Sequence, residues 1–395
     1  MTQFPGDRAK TLKNAFRICN VEPLVGEDLD RYYVDLSAVR KTEAIEGVST
    51  ILEFQEPGQC DTILFTGHRG CGKSTELKRI EKKWREQYFV IYLEVNEETD
   101  INDVEYTDLY LIVIKQVEFA LRKLGVTFDR QLLNSFEAWF KDITEETEES
   151  VEKSVSIEGE ATLGQGAPFI AKLLVKLLAQ IKGSHKRKNT IRKSLEKDVS
   201  RLKADINLLL SDAAKKLKAK HSQYKGFLVI FDNLDRVPPD VGARLFFDYA
   251  VQLQELNCTI IYTVPISVLC SPKNITNTFG PPNIMPMVNI YEFERDCCDL
   301  THKQAGLDAV ASLIEQRVEI EAVFESRQQL IELSKASGGH VRQIMYMMRT
   351  ACQTASTRRH SKINAEDVTY AVKQAQLMHN ESFQKALRTA LQGQP

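Results

Sequence analysis

The sequence lacks an uninterrupted apolar run of about 18 residues, so it does not carry the signal of a membrane-spanning helix. The first ten residues contain no apolar signal region, which gives no reason to expect secretion. The eight cysteines show no double C-x-x-C pattern, so neither a zinc site nor a disulfide framework is indicated. These absences predict a cytoplasmic protein with reduced thiols and no transmembrane segment.

Charge of one sign is also lacking, because the formal net charge is −2. Bulk electrostatics therefore favours neither nucleic acid nor a membrane as partner, although a local basic surface is left open. The 395 residues suffice for two or three domains, and 43% hydrophobic with 27% charged residues is typical of a globular protein. No serine or cysteine triad, zinc spacing or nuclease-type carboxylate cluster is evident, so the chemistry must come from another motif.

A glycine-rich stretch, Gly67–Thr75, matches the pattern G-x-x-x-x-G-K-[ST] of phosphate-binding loops. The apolar run before it predicts a buried parallel strand, and Thr75–Trp84 has helical spacing. Glycines permit positive φ and a close approach to phosphate, while N–H groups at the helix start point toward the anion. The predicted nucleotide-binding residues are Gly67, His68, Arg69, Gly70, Cys71, Gly72, Lys73, Ser74 and Thr75. Lys73 is expected to bind the β- and γ-phosphates, and the Ser74 hydroxyl to coordinate Mg²⁺.

A second motif begins with five apolar residues, Phe227–Phe231, and continues into acidic residues. The pattern predicts a buried strand that emerges at Asp232, on the same sheet edge as the phosphate loop. Asp232 is expected to hold Mg²⁺ through water, and Asp235 to orient or deprotonate the attacking water.

Three further strands are predicted, at Tyr88–Val95, Thr259–Val264 and Met287–Phe293. Asn96, after the first of these, is either a polar switch residue that holds a catalytic acid or a strand-end cap. Thr263 is expected to contact the γ-phosphate or the attacking water.

The C-terminal part is predicted to be helical from Lys303 onward, with Gly338 and Gly339 separating two helices. Arg342 then falls in the first turn of the second of these helices, where a cation is electrostatically unfavourable. This suggests that the Arg342 side chain binds a phosphate, although an arginine that reaches into solvent gives the same pattern.

Residues 128–224 separate the two motifs and include an apolar segment, Pro168–Ile181, followed by a basic cluster, Lys182–Lys193. A heptad-like pattern over Ile191–Leu209 predicts one amphipathic helix. Three interpretations remain open: a helical hairpin packed on the core or on another subunit, a membrane-surface or effector contact, and a nucleic-acid contact.

Together these motifs resemble the AAA+ and STAND branches of the P-loop ATPases. Gly67–Thr75 is similar to the Walker A loop, Phe227–Asp235 to the Walker B strand, and Thr263 corresponds to sensor 1. Gly338–Arg342 is similar to sensor 2 of origin-recognition-type AAA+ ATPases. The run from Asp232 to Arg236 is also similar to the signature of KAP-type P-loop ATPases, which likewise carry an insertion between the Walker motifs.

Two departures from these families are visible. The acid that usually follows the Walker B aspartate is Asn233 here, and the insertion lacks the membrane-spanning helices of KAP proteins. No arginine finger is evident; the candidates are Arg236, Arg244 and Arg295.

The resemblance implies an α/β fold of the P-loop NTPase (AAA+-like) class. We expect a parallel five-stranded sheet with helices on both faces, a helical insertion and a C-terminal helical lid, with nucleotide between sheet edge and lid. By the wiring of the family, the phosphate strand lies centrally beside the Walker B and sensor 1 strands. Tyr32, Tyr33 and Ile45 are candidates to pack against the base, and core packing explains them equally well.

The predicted domains are residues 1–57 as an N-terminal segment packing on the core, 58–127 with 225–299 as the ATPase core, 128–224 as the insertion and 300–395 as the lid.

The resulting hypothesis is a Mg²⁺-dependent ATPase that acts as a conformational or assembly switch, through self-association or a partner protein, for instance in bacterial antiviral defence or signalling. A DNA-binding ATPase of the initiator or transposition-regulator kind is the alternative. A nucleotide-binding scaffold without hydrolysis is a third hypothesis.

Overall fold

A computed structural model describes residues 8–144, 169–183, 185–294 and 297–377. The strands are β1 Thr62–Gly67, β2 Phe89–Glu94, β3 Phe227–Asp232, β4 Thr259–Val264, β5 Asn283–Met285, β6 Tyr291–Glu294 and β7 Cys297–His302. The helices before β3 are α1 Leu12–Ile18, α2 Gly26–Tyr32, α3 Ser37–Arg40, α4 Ala44–Phe54, α5 Lys73–Trp84, α6 Val95–Glu98, α7 Tyr106–Lys123, α8 Arg130–Thr144, α9 Phe169–Gly183, α10 His185–Glu196 and α11 Val199–Lys220. The later helices are α12 Pro239–Ala243, α13 Ile266–Leu269, α14 Thr276–Phe279, α15 Gln304–Glu315, α16 Ile320–Val323, α17 Arg327–Ala336, α18 Val341–Thr357 and α19 at 365–377.

The main sheet has five strands in the order β2-β3-β4-β1-β5, and the pairs β2–β3, β3–β4 and β4–β1 are parallel. This confirms the predicted five-stranded sheet of the P-loop NTPase class. β1 lies beside β4, as expected, but β4 separates it from β3, so the expectation that β1 is adjacent to the Walker B strand was wrong. The apolar runs of β3 and β4 are buried at every position, because both strands are interior to the sheet.

The fifth strand of this sheet differs from the predicted one. β5 spans Asn283–Met285 and ends before Pro286, which cannot donate a backbone hydrogen bond to a neighbouring strand. Part of the predicted strand Met287–Phe293 instead forms β6, which pairs antiparallel with β7 in a separate two-stranded sheet.

The chain forms two compact units. The first contains the described residues of Met1–Glu43, Gly67–Lys78 and Met285–Pro395, and the second contains those of Ala44–Thr66 and Arg79–Ile284. The predicted division into four segments is a different partition of the chain, and its boundaries stay a prediction.

In the first unit, the N-terminal helices share a core with the C-terminal helices α15, α17 and α18. The Arg349 guanidinium lies 3.9 Å from the centre of the Phe16 ring and donates to the Phe16 carbonyl at 2.8 Å. A parallel bridge between Ala9 and Val318 ties the start of the described chain to the segment after α15. The N-terminal segment thus packs on C-terminal helices inside this unit.

In the second unit, the helices between β2 and β3 pack into the same core as the sheet. The apolar face of α9 is buried there, including Leu173, Leu177 and Ile181. The predicted single helix over Ile191–Leu209 is two helices, because Asp198 caps α11 by accepting from the Arg201 N–H at 3.3 Å. This packing supports the hairpin interpretation of residues 128–224 over a membrane-surface element, because the apolar face of α9 is already covered.

The basic cluster that follows α9 is partly internal. Lys188 is buried, and its Nζ lies 2.5 Å from Asp103 Oδ2. Arg192 is also buried and forms ion pairs with both Asp103 and the fully buried Asp108. Burial raises the pKa of the Asp108 carboxyl, and the hydrogen bond from Arg192 opposes that rise. Two of the cations that suggested a nucleic-acid contact therefore neutralise acids of the same unit.

The segment Val241–Leu256 is not one continuous helix. α12 passes into a π-helical turn at Arg244–Asp248 and a short 3₁₀ turn at Gln252–Gln254. The hydroxyls of Tyr110 and Tyr262 donate to the carbonyls of Gln252 and Leu253, at 2.6 and 3.3 Å. Side chains thus satisfy carbonyls that a regular helix would bond internally.

No helix in the described ranges is both long enough and apolar enough to cross a bilayer.

Candidate active site

The phosphate loop continues directly from β1, and α5 begins at Lys73. Gly70 and Gly72 adopt φ of +83° and +103°, a region that side chains with a Cβ rarely enter. The glycine pattern therefore has a local conformational cause. His68 and Arg69 are exposed, whereas the Cys71 thiol is buried inside the loop.

The Lys73 side chain folds back over the loop. Its ammonium donates to the carbonyl oxygens of Gly67 at 2.8 Å and His68 at 3.0 Å, and only 6% of the residue is exposed. Ser74 is half-buried in the first turn of α5, and the Thr75 hydroxyl accepts from the Leu24 N–H at 3.3 Å. The cation and the amino end of the helix thus belong to one local structure, as the motif predicts.

Arg40, which the sequence analysis did not single out, braces this loop. Its Nη2 donates to the Cys71 carbonyl at 2.6 Å, and its Nη1 lies 2.8 Å from the Met285 sulfur. Burial lowers the pKa of the Arg40 guanidinium, and the charges of nearby Glu76 and Asp35 oppose this effect. The sequence carries no signal for this role, because Arg40 lies 31 positions before Cys71, the residue to which it donates.

The start of α18 contacts the phosphate loop within the first unit. The Arg342 N–H donates to the Gly70 carbonyl at 3.1 Å. A Cβ on Gly70 would lie 2.1 Å from Cε1 of His340 and 3.1 Å from Cβ of Arg342. His340 also caps α18, because its Nδ1 accepts from the Gln343 N–H at 3.2 Å. The predicted sensor 2 residue is thus brought to the loop, although its binding to phosphate stays a prediction.

Asp232 terminates β3 in the second unit and is 2% exposed. Its Oδ2 accepts from the Tyr92 hydroxyl at 2.6 Å, and its Oδ1 accepts from the Asn233 N–H at 2.8 Å. Burial and the Asp232 charge together raise the pKa of Tyr92, so that the hydroxyl stays protonated as a donor. Each carboxylate oxygen keeps a second lone pair for another donor or a metal-bound water.

Asn233 has a left-handed conformation, φ +66°, which asparagine tolerates better than most residues. Its Nδ2 donates to Glu94 Oε2 at 2.8 Å and to Asn96 Oδ1 at 2.7 Å. Burial raises the pKa of the Glu94 carboxyl, with further contributions from Glu97 and Asp232. The sequence analysis did not single out Glu94, because its hydrogen bond with Asn233 joins residues 139 positions apart.

Asp235 and Thr263 are also brought together. The Thr263 hydroxyl donates to the Phe231 carbonyl at 3.0 Å and accepts from the Asp235 N–H at 3.2 Å. Thr263 is fully buried and Asp235 half-buried. These bonds use the Thr263 hydroxyl to fix the turn after β3, and its contact with a γ-phosphate stays a prediction.

Among the arginine-finger candidates, Arg244 is 2.9 Å from Glu105 and 3.6 Å from Asp103, so it serves an ion-pair cluster of its own unit. Arg236 is exposed, and Arg295 lies outside the described residues.

The strand, glycine loop and helix, together with an acid-terminated parallel strand, define a P-loop nucleoside triphosphatase fold. A family model described as the KAP family P-loop domain matches residues 42–252, more than half of the 395-residue chain. The chain therefore belongs to the KAP family of P-loop domains. The match includes the phosphate loop and Asp232 but ends before Thr263 and Arg342.

Solved structures of similar fold include the ORC2 protein of Aeropyrum pernix in its ADPNP-ADP complexes. The identity is 13% and the TM-score 0.41, over 91% of this chain and 71% of that chain. Cdc6p of Pyrobaculum aerophilum gives 12% identity and a TM-score of 0.40, over 87% of this chain and 71% of that one. Likeness at this level carries no functional conclusion. Among curated proteins, none matches the sequence significantly.

Proposed function

We propose that this protein binds and hydrolyses ATP and acts as a nucleotide-dependent conformational or assembly switch of the AAA+ and STAND kind. The loop N–H groups and Lys73 bind the phosphates, because a helix amino end and an ammonium both attract anions. A carboxylate at the carboxyl edge of the sheet accepts the proton of the attacking water. Membership of the KAP family of P-loop domains supports nucleotide binding.

Magnesium fits the residues available. The described residues contain no cluster of three or more His, Cys, Asp or Glu side chains that could hold a metal. Mg²⁺ needs no such cluster, since it keeps several waters and uses one or two protein ligands with substrate phosphates. In our proposal the Ser74 hydroxyl is one such ligand, and the buried Asp232, with a lone pair left on each oxygen, would hold Mg²⁺ through metal-bound water. When bound, Mg²⁺ neutralises charge on the phosphates.

The switch role rests on one observation, the hydrogen bond from the Arg342 N–H to the Gly70 carbonyl. It joins the first turn of α18 to the middle of the phosphate loop, so a change in the loop conformation must break or move this contact. A ligand shifts a conformational equilibrium only when it binds the two states with different affinity. This bond couples the phosphate loop to α18, so a nucleotide that prefers one loop conformation also selects one position of α18. In the proposed switch, nucleotide changes the position of the C-terminal helices through Gly70.

A cavity of about 400 Å³ in the first unit supports a base-binding role for the N-terminal segment. Tyr32 and Leu24 line it, and the Leu24 N–H bonds to Thr75 in the phosphate-loop helix. Tyr33, by contrast, donates its hydroxyl to Glu76 at 3.1 Å. We therefore assign the base contact to the cavity beside Tyr32.

The sequence contains no second catalytic constellation, so we further propose that the output is conformational and passes to a partner protein or another copy of the chain. A bacterial defence or signalling system is one setting of this kind. The cysteines whose side chains are described form no disulfide, and Cys60 and Cys270 are exposed, which supports a cytoplasmic location.

The test is a measurement of particle mass for the purified chain without nucleotide, with ATP and Mg²⁺, with ADP, and with duplex DNA at low salt. We expect ATP to change the mass distribution or the exposure of the C-terminal helices to protease, and ADP to reverse the change. Lys73→Ala should abolish the response, whereas Lys82→Ala, which removes an exposed lysine of the same helix, should leave it intact.

Three results would contradict the proposal. A salt-sensitive DNA complex without an ATP-dependent change would favour the DNA-binding ATPase. Tight ATP binding without phosphate release would favour the scaffold. A normal response in Lys73→Ala would remove the phosphate-loop assignment itself.

A further inference from the structure

The strands β2 and β3 end side by side. In their parallel register Glu94 lies opposite Asp232, so the last residue of each strand is acidic. Parallel strands that end together bring such residues to the same edge of a sheet, which is where ligands bind in open α/β folds. Glu94 thus stands next to the predicted magnesium ligand, although the two residues are 138 positions apart in the chain (232 − 94).

The residue after Asp232 does not supply a base. Asn233 is a neutral amide, which has no carboxylate to accept a proton from water. Instead, its side-chain amide donates two hydrogen bonds from Nδ2, one to Glu94 Oε2 at 2.8 Å and one to Asn96 Oδ1 at 2.7 Å. Asn233 therefore brings a carboxylate from the neighbouring strand to a location beside Asp232.

The second carboxylate oxygen of Glu94, Oε1, can accept a proton from water. Across the parts of the chain that the structure describes, no hydrogen bond reaches Glu94 Oε1. Glu94 is half-buried, so water reaches it while its position is fixed by neighbours. The competing acid, Asp235, lies three residues beyond β3 in a 3₁₀ turn whose backbone is anchored to Thr263.

We propose that Glu94 is the general base of the ATP hydrolysis proposed above, on which this inference rests, and that Asn233 and Asn96 orient its carboxylate. The water oxygen uses a lone pair to form a bond to the γ-phosphorus, and a water proton passes to Glu94 Oε1. The bond from the γ-phosphorus to the bridging oxygen breaks, and its electron pair leaves with ADP. The products are ADP and inorganic phosphate, and the Glu94 proton is then released to solvent.

The experiment compares Glu94→Gln with the wild-type chain in two measurements, equilibrium binding of a fluorescent ATP analogue and steady-state release of inorganic phosphate. Glutamine keeps the shape of the side chain but accepts no proton at neutral pH. We expect the affinity to stay within about threefold and phosphate release to fall by about 10²–10⁴-fold. Glu86→Gln, which neutralises an exposed acid just before β2, should leave both quantities unchanged.

Asp235→Asn is the competing variant and should retain more than a tenth of wild-type turnover. Turnover of Glu94→Gln close to wild type, together with loss in Asp235→Asn, would overturn the assignment of Glu94. Equal losses of affinity and turnover in Glu94→Gln would also overturn it, because they indicate a structural role. Glu94→Asp, which retains a carboxylate, should then distinguish chemistry from packing by recovering part of the turnover.

These outcomes are separable from failure of the proposed function. If the wild-type chain releases no phosphate above the Lys73→Ala background, the proposal of ATP hydrolysis is wrong, and the proposed role of Glu94 is wrong with it. If the wild-type chain hydrolyses ATP and Glu94→Gln does so equally well, only the assignment of the base is lost.

Discussion

Gly70 combines two constraints in a single residue. Its φ of +83° disfavours any side chain, and a Cβ there would lie 2.1 Å from the His340 ring. Gly72 shares the first constraint, with φ of +103°, but a Cβ there would meet nothing within 4 Å. A comparison of substitutions at the two glycines therefore distinguishes the effect of backbone strain from the effect of the contact with the C-terminal helices.

We expect both Gly70→Ala and Gly72→Ala to weaken ATP binding, because strain of about 1–3 kcal/mol falls on the loop. Only Gly70→Ala should also displace the first turn of α18, which limited proteolysis or hydrogen exchange at residues 338–345 would detect. If the two variants expose that segment equally, the contact between Gly70 and His340 has no part in coupling.

Arg342→Ala tests the other side of the same contact. The side chain is expected to bind phosphate, whereas the backbone bond to Gly70 survives the substitution. We therefore expect ATP affinity to fall by about 10- to 150-fold, the value of one charge-assisted contact. At ATP concentrations that just saturate the wild-type chain, the nucleotide-dependent mass change should be lost as well, because the weaker-binding variant is then largely unoccupied. Arg349→Ala, in the same helix but bound to Phe16, should lower stability without this loss of affinity.

The residues that the sequence predicted are those whose role is local. The phosphate loop was predicted because its conformation needs glycines at fixed spacing, and Gly70 and Gly72 have the required positive φ. Arg40 and Glu94 were missed because each acts on residues distant in the chain, Cys71 and Asn233 respectively. A single sequence carries no periodicity for such contacts.

At the scale of elements, α10 is joined to α7 and to the segment just before it by buried charge. Arg192 in α10 binds Asp103 and Asp108, and Asp108 also forms the capping box of α7 with Glu105. A buried pair gives little net stability, but an acid left without its partner is strongly unfavourable. The cluster thus fixes where α10 lies on the sheet-containing unit.

Arg192→Met should accordingly lower the free energy of unfolding by about 3–5 kcal/mol, measured by urea titration of far-UV circular dichroism. Lys273→Met removes one partner of an exposed pair with Asp248 and should cost at most about 1 kcal/mol. Equal effects of the two substitutions would mean that Asp108 is not held as an ion in the folded chain.

The sequence predicted whether a segment is helix or strand better than it predicted where a helix or strand is interrupted. The strands β1 to β4 and the long helices follow from apolar runs and helical spacing. The break between α10 and α11, the irregular turns after α12 and the short β5 depend on particular caps and partners. Asp198, Tyr110 and Pro286 cause these interruptions, and their effect is visible only when the neighbouring chain is in position.

For the whole molecule, nucleotide should act as a stabilising ligand. A ligand at 100 times its Kd stabilises the state that binds it by about 2.7 kcal/mol. We expect ATP with Mg²⁺ to raise the thermal unfolding midpoint, and EDTA to remove most of that gain. Lys73→Ala should show neither effect, and Lys82→Ala should show both. A midpoint that rises equally in Lys73→Ala would assign the stabilisation to another site.

The strand order also determines when the protein can form during synthesis. β1 is made early, yet its sheet neighbours are β4 and β5, and the hydrogen bond from the Thr66 hydroxyl to the Val264 carbonyl joins residues 198 positions apart. At about 5–20 residues per second, β1 waits roughly 10–40 s on the ribosome for its first partner strand. A chain released before β4 is complete therefore lacks the central pairing of the sheet and not merely its last strand.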